Sequence, residues 1–126
     1  MALTGRPPRL IAASLTPEQS LLRDQVRAAL TGQHSVREVP MFGGLSFMVD
    51  KRMIVAAQKT GDLLVRVDPE QSGKLLDRPG THPAEMGQGR SMGPGWLIAE
   101  GSLSATQVTF WVGVAMEHCE RNAARV

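Results

Sequence analysis

The stretch Met41–Glu70, MFGGLSFMVDKRMIVAAQKTGDLLVRVDPE, decides the fold, because its apolar residues recur with a period of two. That period is typical of strands with one buried face. Three turn dipeptides, Gly43–Gly44, Asp50–Lys51 and Thr60–Gly61, interrupt the alternation. Connections this short join only antiparallel neighbours, so the stretch predicts a meander. The residues expected on its buried face are Leu45, Phe47, Val49, Met53, Val55, Ala57, Leu63, Val65 and Val67.

A further strand and a helix precede this stretch. Residues 36–41 also alternate, and the missing N–H of Pro40 predicts a sheet edge or a bulge there. Upstream, Thr16–Pro17 followed by Gln19 forms a capping box and predicts a helix that ends at Gly32. The apolar stripe of that helix is Leu22, Val26, Ala29 and Leu30.

Two more helices and a strand pair are expected downstream. Asp68–Pro69 repeats the helix-start pattern and predicts a short helix that stops before Pro79. A strand over residues 96–99 follows, paired with residues 84–86, and Ser104 then begins the last helix. The apolar stripe of the last helix is Val108, Trp111, Val112, Ala115 and Cys119.

These elements predict an α+β fold of two layers. The order is a helix, three or four strands, a helix, two strands and a helix. Such an order favours an antiparallel sheet with the helices on one face. Residues 16–122 are expected to form a single domain, between a flexible basic tail at residues 1–15 and a C-terminal tail at residues 123–126.

Composition narrows the class of protein. Of 126 residues, 42% are hydrophobic and 21% charged, which is typical of one globular domain. Cys119 has no second cysteine for a disulfide, and no run reaches the ~20 apolar residues of a membrane span. The apolar run Leu10–Ala13 is too short for a secretory signal. We expect a cytoplasmic protein with no membrane partner.

Charge and aromatic content give little support to nucleic-acid binding. The net charge is +2, and the 14 basic and 12 acidic residues are interspersed, whereas nucleic-acid binders concentrate positive charge in a patch. The chain has three Phe, two Trp and no Tyr. Since Phe47 and Trp111 fall on core stripes, few rings are left for base stacking.

The stretch Met41–Glu70 resembles the signature of TfoX N-terminal domains, in which a Met-Phe-Gly-Gly turn leads into a strand, a hairpin and a strand that ends at an Asp-Pro helix start. The later segments LLDRPGTHPAEMG and GWLI are similar to that family too, so the resemblance covers roughly residues 20–122. It implies a two-layer α-β domain. Better-known members regulate natural competence in bacteria, so the resemblance implies a regulatory role here. Those members carry a second domain after this one, whereas we expect this chain to be a stand-alone N-terminal domain. The resemblance supplies no catalytic residues.

No catalytic or metal site is assembled by spacing. His118 precedes Cys119, but adjacent helical residues point about 100° apart, and Cys119 continues an apolar stripe. His82, Met86 and Met92 are a sparse set for a soft metal ion, and methionines more often fill gaps in a core. We expect a protein that is not an enzyme and holds neither cofactor nor metal.

Four arginines form the candidate site for a partner or an anion, because the guanidinium group binds carboxylate and phosphate through paired hydrogen bonds. Arg66 interrupts an apolar strand, and Arg90 lies in a glycine-rich loop that lacks the flanking strand and helix of a dinucleotide site. The alternative is that these arginines are solvated and pair with Glu38 or Asp50. The four are Arg37, Arg52, Arg66 and Arg90.

The last helix carries a candidate dimer interface. Phe110 and Val114 lie outside its main stripe, beside Glu117 and Arg121. Exposed apolar pairs of this kind mark interfaces. We expect a homodimer that uses this flank or an exposed sheet edge.

Three functions remain open at this point. The first is a non-catalytic interaction domain, dimeric, that binds another protein in a regulatory setting. The second is a DNA-binding accessory protein, whose affinity would fall steeply with salt. The third is a small-ligand-binding protein or minor enzyme that uses an arginine-lined sheet face, whose ligand would raise the melting temperature.

Overall fold

Helices and strands alternate in the expected order in the computed structural model, which describes residues 15–33, 35–41, 44–85, 91–100 and 103–125. The side chains of Met41 and of residues 121–125 are not described. The elements are α1 (Pro17–Ala29), β1 (Val36–Met41), β2 (Gly44–Val49), β3 (Arg52–Ala57), β4 (Leu63–Arg66), a 3-10 turn (Pro69–Gln71), α2 (Ser72–Leu76), β5 (Thr81–Pro83), β6 (Trp96–Ala99) and α3 (Ala105–Arg125).

The six strands of the described chain form one antiparallel sheet in the order β1-β2-β3-β4-β6-β5. The first four strands are the meander, and β6 inserts between β4 and β5. The β2–β3 turn holds Asp50 and Lys51 at φ 52° and 71°, as a two-residue hairpin turn with positive φ at both positions requires. The predicted α+β class is confirmed.

The predicted starts of the first and last helices are confirmed by their side-chain hydrogen bonds. Thr16 and Gln19 form both halves of the capping box of α1, and Ser104 and Gln107 do the same for α3, with bonds of 3.1 and 2.8 Å. The carboxylate of Asp68 accepts the N–H of Glu70 at 3.0 Å and caps the 3-10 turn, so α2 itself begins only at Ser72. Each cap satisfies N–H groups that have no partner in the first helical turn.

The main core lies between the sheet and the helices. The predicted stripes of α1 and α3 face it, and Phe47, Val26, Val65, Leu97 and Val108 are among its fully buried members. Leu75 and Leu76 of α2 pack against the same cluster. The helices therefore cover one face of the sheet, as expected.

A β-bulge in β3 moves one predicted core residue to the other face. Phe47 lies opposite Val55, whereas Met48 lies opposite Met53, so Ile54 is an extra residue. Ile54 is fully buried in the main core, and Met53 packs on the opposite side of the sheet. The prediction that Met53 faces the core is wrong, because strict alternation fails wherever one strand gains a residue.

The partner strand of β6 begins three residues earlier than predicted, at Thr81 and not at residue 84. Gly80 has φ 76°, and its carbonyl accepts the N–H of Glu100 at 2.7 Å, so pairing starts at the turn that follows α2. Ala84 extends the ladder by donating to the Trp96 carbonyl at 3.3 Å.

The ends of the chain add two observations. α3 continues to Arg125 and so includes most of the predicted C-terminal tail, whereas residues 1–14 of the predicted N-terminal tail lie outside the described residues. Within the described part of the chain, no helix has the length and apolar character needed to cross a bilayer.

Candidate functional site

The sheet face that the helices leave uncovered carries the candidate site, and we call it the helix-free face. Cross-strand registers place two neighbouring rows of side chains on it. The middle row is Val39, Ser46, Ala56, Leu64, Ile98 and His82, and the adjacent row is Arg37, Met48, Met53, Arg66 and Trp96.

The floor of the helix-free face is apolar and buried without help from a helix. Ala56, Leu64 and Ile98 form a cluster separate from the main core. The larger side chains of Met53 and Trp96 pack against this floor and are themselves only half-buried. The result is a shallow apolar surface on which the thioether and indole groups are partly accessible to solvent.

The segment after β5 contributes to the same surface. Ala84 is fully buried in the second cluster, and Met92 packs against it. The Met92 N–H donates to the Ala84 carbonyl at 2.9 Å, which fixes Met92 beside the floor. Met92 was considered above as a metal ligand, and the structure places it in an apolar contact.

Arg66 and Trp96 form a cation–π pair on the helix-free face. They are direct cross-strand partners on β4 and β6. The Arg66 guanidinium carbon lies 5.1 Å from the centroid of the Trp96 ring, within the range of a cation–π contact. Arg66 is half-buried, so the ring holds the guanidinium against the sheet while leaving part of it accessible.

Arg37 lies on the same face and makes no ion pair with another described residue. Its expected partner Glu38 lies on the helix side and pairs with Arg27 of α1, at 2.6 and 2.8 Å. The hydrogen bond to Glu38 raises the pKa of Arg27 above its ordinary value. The alternative in which Arg37 pairs with Glu38 is therefore wrong for the described chain.

The other two candidate arginines do not join this pair. Arg52 is the cross-strand partner of Val49, a member of the main core, so Arg52 lies on the face of the sheet that the helices cover. Arg90 lies outside the described residues. Of the four, the structure brings Arg37 and Arg66 to one face, three strands apart, which is about 14 Å at ~4.8 Å per strand.

An acidic group borders the helix-free face at the end of the strands opposite Arg37 and Arg66. His82 on β5 lies across from Ile98, and its Nε2 is 2.9 Å from a carboxylate oxygen of Glu100. Arginines therefore border the apolar floor at one end of the strands, and this carboxylate borders it at the other.

The flank of α3 differs from the expectation of an exposed apolar pair. Phe110 is half-buried, lies under the Arg78 guanidinium at 3.9 Å and contacts Trp111 edge-on, with ring centroids 5.1 Å apart. Arg78 of the same chain thus covers part of this flank. Val114, also half-buried, lines an open cavity of about 180 Å³ together with Asp68, Gln71, Leu75 and Glu117.

The structure also bears on the residues considered for nucleophilic catalysis and metal binding. Cys119 is buried in the main core, as predicted from its place on the stripe. Among the residues that the structure describes, no three His, Cys, Asp or Glu side chains come close enough together to hold a metal ion. Met86 lies outside those residues.

Comparison with known proteins adds the family. The model of the TfoX N-terminal domain matches residues 28–119, which is most of the chain. This chain belongs to the TfoX N-terminal domain family. A crystal structure of a protein from Pseudomonas syringae is similar in fold, with a TM-score of 0.51 and 18% identity over 74% of this chain and 94% of that one. No curated protein matches the chain.

Sequence reasoning named Arg37 and Arg66 of this TfoX N-terminal domain as candidates but missed the apolar residues beside them in the same row. Met48, Met53 and Trp96 are brought together by strand order and by the bulge, which no local pattern shows. One signal was present: the positions that alternate with the predicted core include Ala56, Leu64 and Ile98, which are as apolar as core residues.

Proposed function

We propose that this TfoX N-terminal domain is a non-catalytic interaction domain that binds another protein in a regulatory setting. The observation that supports the proposal is the composition of the helix-free face. Three methionines and a tryptophan surround an apolar floor, and two arginines border it.

This composition matches what distinguishes protein interfaces from other surfaces. Aromatic residues, Met and Arg are enriched at interfaces, whereas Lys, Glu and Asp are depleted from their centres. Methionine is suited to this role because its flexible thioether adapts to different partner shapes. The helix-free face has no Lys, Glu or Asp in its two rows, and its hydrophobic centre is Met53 with Trp96.

A homodimer is the second part of the proposal. The surface that supports it is the α3 flank at Val114, where the cavity formed with Leu75 is open. The β1 edge is less suited to pairing with a second copy, because Pro40 and the charged Arg37 and Glu38 are features that protect sheet edges.

Affinity capture from a lysate of the native host, with and without nuclease, tests the interaction function. We expect a stoichiometric protein partner that survives nuclease treatment. The matched variants are Met53→Glu, which puts a charge at the centre of the helix-free face, and Leu21→Glu, which alters the exposed leucine of α1.

Loss of the partner with Met53→Glu but not with Leu21→Glu would support this surface. Capture of nucleic acid alone, or of partners that vanish with nuclease, would contradict the proposal and favour direct DNA binding. A defined small molecule that co-purifies and raises the melting temperature would favour ligand binding instead.

A further inference from the structure

We infer that the helix-free face binds an apolar protein segment that carries carboxylates, with Arg66 and Arg37 as the groups that receive them. This inference rests on the proposed interaction function and names the chemistry of the partner.

Arg66 is prepared for a carboxylate. Its stacking on Trp96 at 5.1 Å restrains a side chain that otherwise has several free torsions. A guanidinium restrained in this way loses less conformational freedom on binding and can offer two parallel N–H groups to one carboxylate. The indole beside it supplies a flat apolar contact for the partner residue next to that carboxylate.

Arg37 provides a second positive group for the same partner. It is exposed and makes no ion pair within the described chain, because Glu38 is bound to Arg27 on the other side of the sheet. Its distance from Arg66, about 14 Å across three strand spacings, is too long for one small anion to bridge. A peptide segment spans this distance with roughly two to three turns of helix, or with roughly four to five extended residues.

The methionines between the two arginines determine what the middle of the segment must be. Met48 and Met53 lie between Arg37 and Arg66 in the same row. Phosphate or sugar groups placed over these thioethers would lose hydration without gaining hydrogen bonds, which is unfavourable. Leucine, phenylalanine or tryptophan side chains would instead gain by burial, at about 25 cal/mol per Å² of apolar area.

The negative charge at the end of the strands opposite the arginines distinguishes a peptide ligand from a nucleic acid. The Glu100 carboxylate, 2.9 Å from His82, borders that end of the helix-free face. A chain of phosphates that reached across the face would meet this carboxylate, whereas a peptide can place its acidic residues at the arginine end alone. The charge pattern therefore favours an amphipathic acidic peptide.

Selection from a displayed library of random peptides, roughly 12 residues long to span the face, tests this inference. We expect the peptides selected by the wild-type domain to combine aromatic or aliphatic residues with two or more Asp or Glu. Labelled copies of the best peptide should bind at least about tenfold more weakly to Arg66→Glu and to Arg37→Glu. Lys74→Glu makes the same change of charge on α2, on the helix side, and should bind normally.

The two arginine variants complement each other. Arg66→Glu removes the contact with Trp96 and can alter the fold locally, so its melting temperature is measured first. Arg37→Glu changes an exposed side chain without an ion pair in the described chain, and its result stands even if Arg66→Glu is unstable.

Several outcomes would overturn the inference. These are a library that yields no enriched peptide, selected peptides that are neutral or basic, and binding that both arginine variants retain. If the variants abolish self-association and no peptide binds, the occupant is a second copy of the chain; if an oligonucleotide displaces the peptide and binds more tightly, it is nucleic acid. A host protein captured equally by wild type and both variants would leave the interaction function standing and remove this face as its site.

Discussion

Replacing Gln19 should cost more stability than any other polar substitution on α1. Gln19 is 1% exposed, and its Nε2 donates to the Ala57 carbonyl at 2.8 Å. Its Oε1 accepts the N–H of Thr16 at 3.3 Å, which is one half of the capping box. One side chain therefore both caps the helix and fastens it to the end of β3.

The magnitude follows from these contacts. Losing half of a capping box costs about 1 kcal/mol. A buried carbonyl left without its donor, as Ala57 would be in Gln19→Ala, costs about 1–2 kcal/mol. With a small term for the cavity, we expect Gln19→Ala to lower the free energy of unfolding by about 3 kcal/mol. That is a large share of the ~5–15 kcal/mol that holds a domain folded.

Urea unfolding followed by tryptophan fluorescence measures the effect. With a slope of about 1.5 kcal/mol per M, the midpoint should fall by about 2 M without a change in slope. Gln19→Met keeps a side chain of similar volume but removes both hydrogen bonds, and should still lower the free energy of unfolding by about 2 kcal/mol. The matched control is Gln25→Ala, since Gln25 donates to the Leu103 carbonyl at 3.2 Å from a half-buried position and should cost less than about 1 kcal/mol. A Gln19→Met protein within about 0.5 kcal/mol of wild type would refute the role given to the hydrogen bonds.

Three further substitutions test other features. Lys51→Gly should stabilise the domain by about 0.5 kcal/mol in thermal unfolding, because φ of 71° is unfavourable for lysine and free for glycine; destabilisation would contradict the hairpin geometry. Glu38→Gln should cost only about 0.5 kcal/mol, because Arg27 is half exposed, and the difference should disappear in about 1 M salt. Val114→Glu should convert the proposed dimer to a monomer in light scattering, whereas Leu21→Glu should not; a wild-type monomer at micromolar concentration would end the dimer proposal.

Local chemistry explains why much of the fold could be predicted from the sequence. Caps at Thr16, Asp68 and Ser104 and the turn at Asp50–Lys51 depend on residues within a few positions of one another, so their signals are contiguous. Burial stripes with periods of 2 and 3.6 are equally local. These features were predicted with small errors at the element ends.

Features that depend on distant parts of the chain were missed. The bulge that turns Met53 outward results from how β2 and β3 fit together, and the burial of Gln19 depends on Ala57, 38 residues away. Arg78, which follows α2, lies over Phe110 of α3. Each is decided by tertiary packing, which overrides local preference, so a single sequence could name Arg37 and Arg66 without showing that methionines lie between them.

The insertion of β6 between β4 and β5 has a consequence for synthesis on the ribosome. β4 and β5 leave the exit tunnel of the ribosome before β6 does, yet they are not neighbours in the final sheet. Until then, Leu63, Leu64 and Val65 form an open strand edge of the kind that pairs with other chains. The nascent domain therefore passes through an interval in which this edge of β4 is unprotected, and that interval ends only when β6, its penultimate element, emerges.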